Sequence, residues 1–320
     1  MEIFNSTLTQ MLVMFSFIII GFVLKKKKLL PGNSANVLSK LENYVLVPAL
    51  VIDTFMTYFR VESLVDNYKL IVYSLLLLVV ALVIALPLAR LFAKEKDLSP
   101  AESKYRRRIY EYALTIGNFS FLGNALALGV LGDEGLFDYL LFTLALNVTV
   151  YTWGVFILIP EGAERKSLFK NLLNPVFVSL VLGLVLGLFG IKSVLPPFVN
   201  NTISSAKSCM APVAMILTGF VIGGYDIKDL LTKKRVYTAT ALRLIVIPAV
   251  MLLLLRALGA DSEIMTLTVF AYAAPLGLNT VVFPAAYGGD TKTGAAMAMI
   301  SHTFAVITLP LMYLLFVVVL

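Results

Sequence analysis

The sequence predicts an all-α integral membrane protein of ten transmembrane helices in two inverted five-helix repeats. Three observations predict it. Hydrophobic residues make up 59% of the 320-residue chain and charged residues 14%, with a mean hydropathy of +0.91, too apolar for a soluble globule of this length. Cutting the chain at its charged and Pro/Gly-rich stretches leaves ten apolar spans of about 20 residues, the length a bilayer core demands. Features of the first five spans also recur in the last five at an offset of 161 residues.

The spans fall at 8–24, 38–58, 69–92, 109–131, 136–159, 173–190, 197–223, 236–258, 264–287 and 294–320. Glu2 precedes the first and the lysines Lys25, Lys26, Lys27 and Lys28 follow it, the reverse of a signal peptide's charge order, so it reads as an uncleaved anchor with its N-terminus outside. Alternating the loops places 20 of the 26 basic residues in the cytoplasm and leaves Arg60, Lys69, Lys192 and Arg256 outside. The positive-inside rule therefore supports ten spans with both termini outside.

Span 2 carries Pro48 and, one turn from its outer end, Asp53. Asp53 reads as an exposed interfacial carboxylate, or else as an intramembrane proton acceptor. Span 4 contains GNFSFLGNAL at 117–126, which sets Asn118, Ser120 and Asn124 at mid-depth. Polar side chains in hydrocarbon must find partners, and hydrogen bonding between helices is the plain reading. In span 6 Gly183, Gly187 and Gly190 read as close helix packing. Lys207 lies within span 7 and has two readings: snorkelling toward the outer face, or a charge partner for an anionic substrate or for Asp53. Cys209, alone in the same span, excludes an intrachain disulfide. Arg243, about two turns inside the cytoplasmic face of span 8, reads as a snorkelling side chain in contact with lipid. His302 in span 10 is the only histidine, suited to proton coupling or to a packed, hydrogen-bonded role.

Span 9 is the anomaly. Within 271–290, AYAAPLGLNTVVFPAAYGGD, stand Pro275 and Pro284 with Gly277 and Asn279 between them. Proline removes a donor and clashes with the preceding turn, so the helix is expected to break near mid-membrane. Such breaks are tolerated where protein or a water-filled cavity takes up the freed backbone groups, as in secondary transporters. The N-terminal end of a resumed half-helix carries free N–H groups and about half a positive charge, which suits a carboxylate. Asn118 and Asn279 are 161 residues apart, as are Pro87 and Pro248, and Val47-Pro48-Ala49-Leu50 is loosely matched by Ala211-Pro212-Val213-Ala214. Five spans separate equivalent positions, so the second half (161–320) enters the membrane in the opposite sense to the first (1–160).

The net charge of +7 needs no nucleic-acid partner: Lys94, Lys96, Lys104, Arg106, Arg107 and Arg108 share one short loop, where they anchor topology and meet anionic lipid. One histidine and one cysteine cannot build an ordinary zinc site. No nucleophile elbow, phosphate-binding loop or intramembrane carboxylate pair is present, so neither an enzyme nor an ATP-driven pump is expected, and no cofactor or metal is implied.

An ordered set of motifs runs the length of the chain: Tyr44-Val45-Leu46-Val47-Pro48, Asn118 to Gly123, Asn174-Pro175, Ala211-Pro212-Val213-Ala214-Met215 with Gly219, Val246-Ile247-Pro248, and Pro275 followed by Tyr287-Gly288-Gly289-Asp290. In this the sequence resembles the auxin efflux carrier family, its bacterial members in particular, within the wider group of bile-acid, arsenite and riboflavin-type transporters. The resemblance implies helices 4 and 9 broken and crossing at mid-membrane, a substrate held at the crossing, and a location in the bacterial inner membrane. It implies a secondary carrier of small organic anions, auxin-like weak acids or dicarboxylates such as malonate or malate, working by alternating access. Asn118 and Asn279 would flank the crossing with Ser120, Gly123 and Asn124 nearby, and Pro275 would mark the break in helix 9. Tyr44 and Pro48, with Asn147 and Tyr151 of span 5, would line the pocket. Many members have a second crossover proline where this chain has Ala125, so helix 4 must break on glycine alone. The long cytoplasmic loop of plant members is replaced by 161–171. Coupling stays open between protons, through Asp53 or His302 with Lys207 as a charge partner, sodium as in the bile-acid symporters, and uniport. A transporter-derived sensor or channel is the rival reading, and a homodimer is open.

Overall fold

Every regular element is helical among the residues that the computed structural model describes, which are 2–93, 99–161, 173–286 and 289–319. The main runs are α1 (Glu2–Lys26), α2 (Ser34–Tyr58), α3 (Tyr68–Ala93), α4 (Pro100–Thr115), α5 (Phe119–Phe142), α6 (Leu144–Leu158), α7 (Pro175–Leu188), α8 (Pro197–Gly223), α9 (Lys234–Ala257), α10 (Ser262–Tyr272), α11 (Asn279–Ala286) and α12 (Lys292–Val319). Six of them, α1, α2, α3, α8, α9 and α12, are long and apolar enough to cross a membrane; α5 and α6, bent by 49°, make a seventh if taken as one span. The 14-residue α7 is apolar but shorter. Lys94 and Lys96 of the basic loop, residues 162–171 of the mid-chain loop, and Tyr287 and Gly288 lie outside the described residues.

Local chemistry sets the helix starts. Ser99 and Glu102 form a reciprocal capping box with Pro100 in the first turn of α4. Asn174 accepts from the Phe177 N–H to open α7, and Asp261 accepts from the Ile264 N–H to open α10. The prolines of α2 and α9 each follow a widened turn, Glu42–Leu46 before Pro48 and Leu242–Val246 before Pro248. A proline cannot donate and crowds the carbonyl four residues back, and a π-turn there relieves the clash without ending the helix.

Two groups of helices emerge from the packing. In the first, α1 lies against α8, and α7 and α8 both lie against α2. The α1–α8 contact is backbone to backbone: a Cβ on Gly21 would strike the Ile216 carbonyl, and one on Gly219 the Ile18 carbonyl. Gly183 and Gly187 sit on α2 in the same way, where a Cβ would come within 2.9 Å of Phe55 Cβ and 2.6 Å of Phe55 O respectively. Gly183 and Gly187 therefore serve packing inside this chain, whereas Gly190, expected to do the same, has open space where a Cβ would sit and instead takes a left-handed turn (φ +62°) after α7. In the second group α3 packs on α4, α9 on α10, and α11 on α12, while α12 also reaches α1 and joins the groups.

Candidate functional site

The stretches expected at 109–131 and 264–287 are each interrupted, and the interruptions face one another. Helix α4 ends at Thr115, Ile116 is extended, and the chain turns helical again at Phe119. Residues 273–278 separate α10 from α11. Gly117 and Leu276 form an isolated antiparallel bridge, and the Asn118 N–H donates to Pro275 O at 2.7 Å. Glycine fits both sides of this contact, most strictly at Gly117. A Cβ on Gly117 would lie 2.9 Å from both Ala274 O and Pro275 O, and one on Gly277 would lie 3.1 Å from Gly117 O. Ser301 of α12 accepts from the Leu276 N–H at 2.9 Å. The freed backbone groups thus find protein partners, as hydrocarbon requires. Pro284 breaks nothing; it lies inside α11.

Arg243 closes the other side of the interruptions. Its Nη1 donates to Leu114 O and Thr115 O, both at 3.1 Å, and its Nη2 to Ala271 O at 3.2 Å. These carbonyls end α4 and α10, so one guanidinium sits at two helix C-termini, where partial negative charge accumulates. The Tyr272 ring lies 5.6 Å from its central carbon. Arg243 is 1% exposed, which overturns the expectation of a snorkelling, lipid-facing side chain. Its long stem crosses the protein interior because three orphan carbonyls there need a donor.

A narrow cleft of about 600 Å³, counted out to open solvent, runs from the two interruptions toward the Ser39 end of α2. Five of the expected substrate residues line it: Asn118, Ser120, Asn147, Tyr151 and Asn279. Ser39, Asn43 and Val47 contribute one face of α2, four residues apart, and the sequence reading missed the first two. That spacing was the available signal. No charged side chain lines the cleft among the described residues. The Asn118 amide nitrogen lies 3.0 Å from His302 Nε2, and Asn279 donates to the Tyr112 hydroxyl at 2.8 Å. Tyr112 is buried and stacked on Trp153, which fixes that acceptor.

The other five expected residues do not line the cleft. Tyr44 is 66% exposed, on a face of the α2 turn away from Asn43 and Val47, and Pro48 is buried. Pro275 serves the break through its carbonyl. Gly123 is pressed against the Tyr139 hydroxyl and Phe270 O, so it belongs to the contact between α5 and α10. Asn124 is buried and its Oδ1 lacks a partner.

Asp53 and Lys207 meet at the far end of α2. Lys207 Nζ lies 2.9 Å from Asp53 Oδ2 and 2.5 Å from Asp133 Oδ1, while Lys192 Nζ lies 2.9 Å from Asp53 Oδ1. Lys207 and Asp53 are each 6% exposed, so neither the snorkelling lysine nor the exposed interfacial carboxylate stands. Two carboxylates and two ammonium groups balance, which is how buried charge becomes tolerable.

Apolar helices of spanning length, with facing interruptions beside an uncharged polar cleft, define a polytopic membrane protein. The chain belongs to the auxin efflux carrier family: the family model described as membrane transport protein matches residues 6–313. It is similar to an uncharacterized transporter of Methanocaldococcus jannaschii, 24% identical over 303 residues that make up 94% of this chain and 96% of the relative. It is also similar to the uncharacterized transporter YfdV of Escherichia coli strain K12, 27% identical over 207 residues, 62% of this chain and 63% of that protein. The protein is a membrane transporter of this family.

Proposed function

We propose that the protein is a secondary carrier that moves small organic anions by alternating access, with its substrate held where the interruptions of helices 4 and 9 meet. One observation carries the reading. The ends from which α5 and α11 resume, at Phe119 and Asn279, open on the same cleft, and that cleft bears amide and hydroxyl groups but no carboxylate. Helix N-termini favour anions, and neighbouring carboxylates would oppose them. The ten-helix arrangement in two inverted halves, 1–160 and 161–320, is part of this proposal and is supported by the 161-residue offset between Asn118 and Asn279. So is a bacterial inner-membrane location with both termini outside. In that orientation the cleft opens at the end of α2 nearest the lysine cluster after α1, and faces the cytoplasm.

Among the described residues no three His, Cys, Asp or Glu side chains converge, so a sodium ion would have to rely on amide, hydroxyl and carbonyl oxygens. Flux into proteoliposomes of a weak-acid panel, with and without sodium and pH gradients, tests the carrier reading. Saturation and counterflow are expected; unsaturable flux would mean a channel. Asn118→Ala and Asn279→Ala are each expected to lower flux at limiting substrate about tenfold, the worth of one charge-assisted hydrogen bond. Unchanged affinity and flux in both variants would place the substrate elsewhere.

A further inference from the structure

His302 is the only histidine of the chain and is 1% exposed, so both ring nitrogens are committed to protein partners. Nδ1 lies 2.7 Å from Ala298 O, and Nε2 lies 3.0 Å from the Asn118 amide nitrogen. A carbonyl oxygen only accepts, so Nδ1 carries a proton. In the neutral ring Nε2 is then bare and accepts from the Asn118 N–H. The Oδ1 and the second N–H of that amide are left for the cleft that Asn118 lines. Asn279 repeats the pattern, since its nitrogen is given to Tyr112. With a neutral His302 each amide therefore offers the cleft one N–H beside an oxygen, and the oxygens oppose a carboxylate, itself only an acceptor.

Protonation reverses this. An imidazolium has an N–H on both nitrogens, and Nε2–H needs an acceptor. A half-turn of the Asn118 amide supplies Oδ1 to the ring and frees the NH2 for the cleft. We infer that His302 and Asn118 form a proton-operated switch, by which the cleft takes up an organic anion together with one proton. This rests on the carrier reading and names its coupling ion. The proton comes from water in the cleft, joins Nε2 as the anion enters, and returns to water when the anion leaves. Nothing else is made or broken, so a monoanion and its proton cross without net charge.

The surrounding charges make protonation conditional on the anion. Of the elements packed on α12, α1 carries Glu2 at its start and Lys25 and Lys26 at its end, and α8 carries the exposed Cys209 and Lys207, which Asp53 and Asp133 neutralise. The short helix Ile227–Leu231 carries Lys228 and Asp229, the latter paired with Lys292 of α12 itself, about ten helical residues or 15 Å from His302. α9 carries Lys234, Arg235, Tyr237, Arg243 and Arg256; α10 carries Glu263 and Tyr272; α11 carries none; and Tyr313 lies further along α12. Only Arg243 is held at the break, its Nη2 2.6 Å from where a Cβ on Gly117 would sit. A second cation beside it is unfavourable until an anion arrives to offset it. Away from Asn118, His302 shares a largely apolar hollow with Phe15, Ile18, Phe22, Ile222 and Thr303, whose hydroxyl donates to Met299 O.

A lone histidine makes the test direct. With 15N-labelled histidine, the full chain in nanodiscs gives one imidazole signal pair, read across pH with and without indole-3-acetate or malate. Without ligand at neutral pH the proton is expected on Nδ1 and Nε2 bare; saturating anion should raise the midpoint for imidazolium formation by about one pH unit or more, a tenfold gain in proton affinity. In proteoliposomes, between about pH 6 and pH 8, where both probes stay ionised in water, wild-type flux should rise about tenfold on acidification. In His302→Gln, whose amide can accept from Asn118 but holds no proton, that slope should flatten to under about twofold. A ligand-free proton on Nε2 overturns the switch. So does saturable flux with a ring that stays neutral throughout, or with an unchanged slope in His302→Gln, and each of these leaves the carrier reading intact. Absence of saturable flux for every probe overturns that reading and the switch with it.

Discussion

Arg243 illustrates what a buried side chain does when its partners come from other helices. Its three acceptors belong to Leu114, Thr115 and Ala271, and only the last is near in sequence. Leaving buried carbonyls unsatisfied costs about 1–3 kcal/mol each, so Arg243→Met is expected to destabilise the protein by about 2–4 kcal/mol after the desolvation of the guanidinium is recovered. Arg243→Lys, which keeps the charge but loses the planar fork, should fall between. Thermal unfolding in detergent measures both; a melting temperature unchanged in Arg243→Met would show that the carbonyls are satisfied without it. None of this was legible in the sequence. An arginine two turns inside a span has one expected behaviour when read alone, and what replaces it depends on two helix ends more than a hundred residues apart. Lys207 differs: its pairing with Asp53, 154 residues away, was one of its two readings in the sequence, and the structure shows that pair, while Asp133 and Lys192 were not anticipated there. Asn118 and Asn279 could be placed together from their 161-residue offset and the family resemblance, and both line the cleft, whereas Asn124, an amide in the same run, does not.

At the scale of elements, the break in helix 9 could be read from Pro275 and Gly277, whose backbone consequences are local. The break in span 4 had no proline to announce it, and its 161-residue spacing from span 9 and the family resemblance pointed there. Gly117 proves sufficient, because the antiparallel contact with Leu276 supplies what a proline supplies elsewhere: a reason for the chain to leave the helix. Glycines on the other helix contacts differ in what they face, and so should their replacements. A methyl on Gly219 overlaps the Ile18 carbonyl, rigid backbone of α1, whereas one on Gly183 meets Phe55 Cβ at 2.9 Å, equally fixed to its backbone but a much slighter overlap. Gly219→Ala is expected to cost about 3 kcal/mol or to prevent assembly, and Gly183→Ala about 1 kcal/mol. Yield and melting temperature of the two variants decide it; equal losses would mean that α1 can slide along α8 more freely than its backbone contacts imply.

The two ends of α2 differ across the whole molecule. The cleft runs toward the Ser39 end, and at the opposite end Lys207 ties Asp53 of α2 to Asp133, which follows Gly132, whose positive φ interrupts α5. Asp53, Lys192 and Lys207 belong to the group built from α1, α2, α7 and α8, whereas Asp133 belongs to α5, which continues from the break (Asp53 is buried, Asp133 half-exposed). If the two groups move against each other during transport, Lys207–Asp133 is the ion pair that must open, while Lys207–Asp53 stays within one group. Because Asp133 is 54% exposed at its side chain, solvent screens the pair, and its removal should shift the balance of states by about 0.5–1 kcal/mol, a two- to fivefold change in population. Asp133→Asn leaves Lys207 neutralised by Asp53, so folding should survive. In a Cys209→Ala background, a cysteine placed at Asn43 reports cleft opening at the Ser39 end through its rate of maleimide labelling. Asp133→Asn is expected to slow that labelling two- to fivefold and to raise labelling of a cysteine placed at Thr57, beside the ion cluster. Equal rates at both positions in the two proteins would mean that Lys207–Asp133 holds no state closed, and that the ion cluster serves only to bury Lys207.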